Sequence, residues 1–444
     1  MSAELPLDHA YAPQPAVPEL TSLTFALAPT ELATLGDFFA HEAKIWTSQG
    51  HGLVGFGEAA SIRTRGEHRF TQAREWFAHI RAAATILDPI QRPGSALVCF
   101  GAFSFSFTSS YESRLVIPQV VIGQDGAGAW ITVNAPSDHA TDLDVRAALE
   151  LAHRLKDEAS MPSARGSIRL SSGQLTAGSY VQAVGQALSM FDEYGISKLV
   201  LARDILAQST ERIDLAHVVA KLTEGYGKCW TYLVDGLVGA TPEMLVRVTN
   251  GVAEARVLAG TLDRATAPSH DPQYPSRMLL EDPKQRTEHE LAIDSLTEAL
   301  APISHGMSAP REPFILELPN VWHLASDVSA QLKPNAGGKM PTALDLVEIF
   351  HPTAAVCGTP TKAAGVLLRK LEGMDRGPYA GPVGWLDGRG DGEFGIALRG
   401  GVLEAEKEMR LYAGCGIVPG SVPEAELAES WAKMRPMRQA LEAD

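Results

Sequence analysis

An α+β fold is predicted by three stretches of this sequence. In "MLVRVTNGVAEARVL" (244–258), Asn250-Gly251 stands between two apolar-rich runs. Both positions of a two-residue hairpin turn need positive φ, which Asn and Gly supply, so two strands are expected side by side. The run "GPVGWLDGRGDGEFGIALRGGVLEAEKEMRLYAGCGIV" (381–418) reads as three or more strands joined by Gly- and Asp-rich turns, an antiparallel meander. Helical stretches around 281–300 and 422–437 supply the α part.

In chain order, residues 1–22 are rich in Pro and Ala and are expected to form a loose arm, with one large domain over 23–444. From there to about residue 156, helix-like stretches such as "FTQAREWFAHIRAAATIL" alternate with strand-like ones such as "ALVCFGAFSFSF". The polar stretch "KDEASMPSARGSIRLSSGQLTAG" (156–178) reads as a linker or long surface loop. Neither an internal repeat nor a low-complexity tract interrupts the chain. The last helix has a start signal: Ser421 and Glu424 fit a capping box, with Pro423 in the first turn, where its missing N–H costs nothing. At about 100° per residue, Glu426, Glu429 and Lys433 share one face, while Leu427, Trp431 and Met434 form another. Taken alone, this is a core stripe beside a surface Glu-Lys pair.

Composition excludes several functions. The chain has 444 residues, 45% of them hydrophobic, enough for a large core. Its 38 Lys plus Arg against 53 Asp plus Glu give a net charge of −15, which disfavours nucleic acid and anionic membrane as partners. Any anionic substrate must be held by local positive groups or a metal. Cys99, Cys229, Cys357 and Cys415 lie far apart without a C-x-x-C pair, as core thiols of a reducing compartment would. No secretory signal and no run of ~18 apolar residues is present, so the cytoplasm is expected. In "KQRTEHELAID" (284–294), a zinc-protease reading would need a second histidine one turn after His289, but position 293 is Ile293. That stretch reads as a charged helix turn.

Nine further stretches, in order, resemble the chorismate-utilising enzymes, and among them the isochorismate synthases. They are "SKLVLAR" (197–203), "GATPEML" (239–245), "LAGTLDR" (258–264), "EHELA" (288–292), "VWHLAS" (321–326), "HPTAAVCGTP" (351–360), "DRGPYAGPVGW" (375–385), "GEFGIALR" (392–399) and "YAGCGIVPGSVPEAELAESWAK" (412–433). The resemblance covers about 175–437, and before residue 160 only "FGAFSF" matches loosely. It implies two antiparallel sheets stacked face to face with helices outside, in a single large α+β domain. It also implies a reaction: water adds at ring C2 of chorismate while the C4 hydroxyl leaves, without a redox cofactor.

Water is a poor nucleophile and hydroxide a poor leaving group, so this chemistry wants a base on one ring face and an acid on the other. By the resemblance, Lys198 is the base and Glu243 the acid. A lysine, with an ordinary pKa of about 10.4, accepts a proton only where burial or a nearby cation lowers that value. On its own, Lys198 reads as a strand-edge lysine and Glu243 as a residue starting an element after Pro242. The resemblance further makes Glu288 and Glu429 the carboxylates that hold Mg²⁺, with Glu426 acting through water. A glutamate of some relatives is Gln285 here. By the same resemblance, Tyr379, Arg399, Gly414 and Lys433 match positions that grip the pyruvyl carboxylate, Gly260 and Thr261 match backbone and hydroxyl contacts near the ring, and His323 matches a residue close to the leaving hydroxyl. A lone histidine in such an apolar run otherwise reads as a core residue.

Ammonia-adding relatives carry glutamine at the position of Lys198, and the aminodeoxychorismate type has a nucleophilic lysine at that of Ala259. Both positions argue for water, and so against a glutamine amidotransferase partner. Relatives that eliminate pyruvate tend to have threonine where this chain has Ala355. Release of isochorismate is therefore expected, with salicylate synthesis as the alternative and a non-catalytic chorismate-binding paralogue as a third reading.

Overall fold

In the computed structural model, which describes residues 18–137, 143–161, 166–268 and 271–442, the Asn250-Gly251 turn forms as its sequence requires. Asn250 (φ 50°) and Gly251 (φ 79°) close a hairpin between Met244–Thr249 and Val252–Asp263, with Thr249 opposite Val252. Among the described residues the strands form two sheets, of thirteen and ten strands. The first runs from Ile168–Ser172 through Lys198–Ser209, Glu408–Ile417 and Gly400–Ala405 to Leu237–Thr241, then on to the N-terminal strands. The second runs from Ser304–Ser308 through Val321–Leu332, Val252–Asp263, Met244–Thr249 and Gly392–Ile396 to Pro382–Asp387 and beyond. Neighbouring strands are antiparallel, except that Leu20–Leu27 runs parallel to Thr85–Leu87.

The apolar clusters define the layers. Trp46, Tyr232 and Val234 of the first sheet meet Phe100, Val383 and Trp385 of the second in a shared core between them. The helices Arg69–Ala83, Pro283–Leu300 and Ala343–Phe350 cover the outer face of the second sheet. Val145–Ala159, Leu215–Gly225 and Pro423–Leu441 cover that of the first, and Ala177–Tyr194 and Thr361–Leu371 pack on its other end. Among the described residues no helix is long and apolar enough to cross a membrane. All four cysteines are buried and free.

Four local expectations change. The supposed linker contains the strand Ile168–Ser172, because the sheet edge offered by Lys198–Ser209 pairs with it, Ile168 opposite Ser209. The Asp204 carboxylate then accepts from Gln174 N and Leu175 N, which fixes the entry to the next helix. The meander divides: Pro382–Asp387 and Gly392–Ile396 lie in the second sheet, Gly400–Ala405 and Glu408–Ile417 in the first. The Ser421 capping box does not form. With Pro423 as first helical residue, Val422 becomes the N-cap, and the Ser421 hydroxyl accepts from Val418 N instead. Of the expected arm, residues 1–17 lie outside the described residues, and Leu20 already begins a strand.

Candidate active site

The division of the meander builds the site. Pro242 and Glu243 lie where the chain passes from Leu237–Thr241 of the first sheet to Met244–Thr249 of the second. Leu398 and Arg399 lie on the return, between Gly392–Ile396 and Gly400–Ala405. The crossovers touch: Ile396 N donates to the Glu243 carbonyl at 3.1 Å. A Cβ on Gly395 would sit 2.9 Å from Thr241 Cγ2 and 3.0 Å from Glu243 O, so this approach requires glycine. Arg399 adopts φ 52°, a left-handed turn. Both side chains line one cleft at the seam of the sheets, together with residues of the last helix.

Glu243 is 5% exposed. Burial pushes its carboxyl up to about 7, against the opposing pull of Lys198, Arg399 and Lys433. Lys198 begins the strand Lys198–Ser209 and is 1% exposed. Its charge reaches Glu243, and Val200, two residues on and hence on the same face of the strand, lines the cleft.

His323 organises the opposite wall. Strand Val252–Asp263 has a bulge at Gly260, which has φ 83°. The bulge brings Gly260 O to 3.2 Å and Thr261 Oγ1 to 3.1 Å from His323 Nδ1. Arg399 Nη2 lies 2.9 Å from His323 Nε2. Arginine only donates and a carbonyl only accepts, so Nε2 holds the lone pair and Nδ1 the proton. Burial, then the charges of Arg399 and Lys433, hold the ring well below the usual histidine range, so it is neutral. His323 thus orients Arg399 by accepting its hydrogen bond.

The remaining residues match an anion. Lys433 Nζ donates to Gly414 O at 2.9 Å and pairs with Glu429 Oε1 at 2.6 Å. Burial opposes its charge, but Glu429 keeps the ammonium above the usual lysine range. Burial pushes the Tyr379 phenol up to about 12, so it remains a donor, and its ring stacks on Tyr412 at 5.1 Å. Ala355 presents only a methyl group to the cleft. The last helix behaves as its stripes read: Met434 is in the core and Trp431 packs against it, but the Glu429-Lys433 pair faces the cleft rather than bulk solvent.

Oxygen donors suited to a hard cation share this wall. The Glu426 and Glu429 carboxylates and Cys415 Sγ lie within 4.8 Å of one another. The thiol donates to Glu426 O at 3.3 Å and burial keeps it protonated, which leaves the two carboxylates as the oxygen donors that could hold such an ion. Gln285 Oε1 is buried in the same cleft with no hydrogen-bond partner among the described residues. Residue 288 lies on the helix Pro283–Leu300, and its side chain is outside the described residues. His289 is a buried structural residue, its Nε2 2.8 Å from Ser326 Oγ.

Sequence reasoning missed Tyr412, Val356 and the buried pair of Arg376 and Glu372. Arg376 lay inside a quoted stretch, and a charge among glycines and aromatics was its signal. Glu372 had none.

The chain belongs to the chorismate-binding enzyme family, whose profile it matches over residues 13–442. Its relatives include "Putative isochorismate synthase MenF" of Mycobacterium tuberculosis, 33% identical over 382 residues, covering 83% of this chain and 91% of the relative. "Salicylate biosynthesis isochorismate synthase" of Pseudomonas aeruginosa is 31% identical, with coverage of 90% and 84%. The structure of MenF, the menaquinone-specific isochorismate synthase from Escherichia coli, shares the fold, with a TM-score of 0.73 at 20% identity, covering 96% of each chain. So does anthranilate synthase component I from Streptococcus pneumoniae, at TM-score 0.65 and 18% identity, covering 98% of this chain and 95% of that one.

Proposed function

We propose that this enzyme is an isochorismate synthase, which isomerises chorismate to isochorismate with Mg²⁺ bound. The carrying observation is a carboxyl, Glu243, buried and held near neutral pKa in a cleft that also presents Arg399, Tyr379 and Lys433 to a carboxylate. Lys198 takes a proton from water as its oxygen bonds to C2. The ring double bond shifts, the C4–O bond breaks, and Glu243 protonates the departing hydroxide. Arg399, held by His323, and Lys433 bind the pyruvyl carboxylate and fix the ring between base and acid. Glu429 and Glu288 would hold Mg²⁺, with Glu426 acting through water, and the ion would neutralise a substrate carboxylate. With water as nucleophile, no source of ammonia is needed.

The methyl of Ala355 adds no hydrogen-bonding group near C2, which supports release of isochorismate over pyruvate elimination. The test is to incubate the protein with chorismate and Mg²⁺ at neutral pH and separate the products. Isochorismate with little pyruvate is expected. One pyruvate per chorismate consumed at early times would make the enzyme a salicylate synthase. Ala355→Thr is expected to slow isochorismate formation.

A further inference from the structure

Arg376 lines the cleft and also a larger cavity adjoining it, of about 910 Å³. That volume lies within the roughly 300–1,000 Å³ of small-molecule sites. The helix Thr361–Leu371 forms one side, and the segment between the strands Val98–Ala102 and Ser113–Ile117 another. Three arginines of the lining each stand over a phenylalanine that also lines it. Arg69 Cζ is 4.3 Å from the centre of the Phe70 ring, Arg376 Cζ 4.3 Å from that of Phe105, and Arg369 Cζ 6.0 Å from that of Phe107. A guanidinium over a ring keeps the N–H groups of its edge for a planar anion.

Arg376 directs that edge to Glu372 and to backbone carbonyls. Among the described residues, neither Arg69 nor Arg369 has an ion-pair partner. Arg69 is 6% exposed and donates to the carbonyls of Gly66, Ser104 and Phe105. Buried charges are ordinarily paired, and Glu348, the carboxylate that acts on this one, is engaged by Arg74 and Thr71. Asp375 accepts from Ser109 and Ser110, and Glu372 is held by Arg376. Glu67, which is exposed, is the remaining carboxylate among the lining residues described. Phe107 keeps 49% of its surface open. In a chain of net charge −15, two guanidiniums without counter-ions beside three phenyl rings suit an anion with a flat apolar body.

We propose that this cavity is an effector site for a small aromatic carboxylate, its charge held by the unpaired guanidiniums and its ring by the phenylalanines. Occupancy reaches the cleft through Arg376. The guanidinium over Phe105 donates to Val200 O and Val356 O, and both of these residues line the cleft. A ring packed on Phe105 shifts this guanidinium, and the cleft wall with it, so the ligand lowers turnover without competing with substrate. The effect on turnover rests on the proposed function, whereas binding does not.

Benzoate is the probe, titrated calorimetrically into the full chain without chorismate. Benzyl alcohol is the control that lacks the charge, and cyclohexanecarboxylate the control that lacks the flat ring. Saturable binding is expected, tighter than that of either control and about tenfold weaker in Arg369→Gln and in Phe107→Ala. Both side chains are exposed, so the variants are expected to fold. Arg399→Ala, which disables the cleft as an anion site, should still bind benzoate. No saturable binding, controls that bind equally well, or binding lost in Arg399→Ala and kept in the other two variants overturns the site. In the chorismate assay benzoate should lower kcat about fivefold with KM held within about twofold, and Phe107→Ala should turn over normally without responding to it. A rise in KM alone, or normal turnover with benzoate bound, overturns the effector role. A protein that binds benzoate as described but leaves chorismate unchanged refutes the proposed function and supports the site.

Discussion

At the scale of single residues, Lys198 and Glu243 are a buried base candidate and acid candidate, and the Lys198 charge acts on the Glu243 carboxyl. Lys198→Ala and Glu243→Gln are each expected to reduce turnover by about 10²- to 10⁴-fold, the usual range for loss of a general acid or base. Steady-state assays check this, and near-normal rates would return that residue to a structural role. The pH profile should carry the same signature. As the proposed acid Glu243 has to be protonated to act, so the rate is expected to fall as pH rises through about 7. In Glu243→Gln that inflection should vanish from whatever activity remains. These residues were legible only through motifs, since 45 positions separate them in sequence. His323 was legible as a site residue but not as the partner of Arg399, because that hydrogen bond joins a strand of the second sheet to a link between the sheets 76 positions further on.

At the scale of elements, the Arg376-Glu372 pair joins three segments. Arg376 donates to Val200 O at 2.6 Å and to Val356 O at 2.9 Å, and Glu372 accepts from Ala202 N at 2.8 Å. It therefore fastens the strand bearing Lys198 to the loop bearing Ala355. Arg376→Met leaves Glu372 buried without its counter-ion, and about 3–5 kcal/mol of stability should be lost in denaturant titration. The last helix makes a second prediction. Glu429→Gln should weaken activation by Mg²⁺ and lower turnover together; full activity of the variant in chelator would remove Glu429 from the metal site. Spacing revealed the Glu426, Glu429 and Lys433 face. It did not reveal that Gly414, on the strand that immediately precedes the helix, accepts from Lys433. The split meander was hidden for a similar reason: turn residues mark where strands end, not which sheet each strand joins.

At the scale of the molecule, Glu243 links protonation to folding. Its folded pKa of about 7 stands above the ordinary 4.5, so the folded state holds the proton more tightly than the unfolded chain. Stability from this group is complete below about 4.5 and declines as pH rises through 7, by on the order of 3 kcal/mol. Glu243→Gln should flatten that decline, read as melting temperature against pH. The two-sheet stack became legible from the motifs taken together, whereas helix and strand periodicity alone stopped at α+β. One consequence of the crossovers concerns the order of assembly. Glu243 and Arg399 sit on the links between the sheets, so a chain with either sheet formed alone has no cleft. Activity regained on refolding should therefore lag behind backbone ellipticity and coincide with the late fluorescence change of Trp46 and Trp385, which the docking of the two sheets encloses.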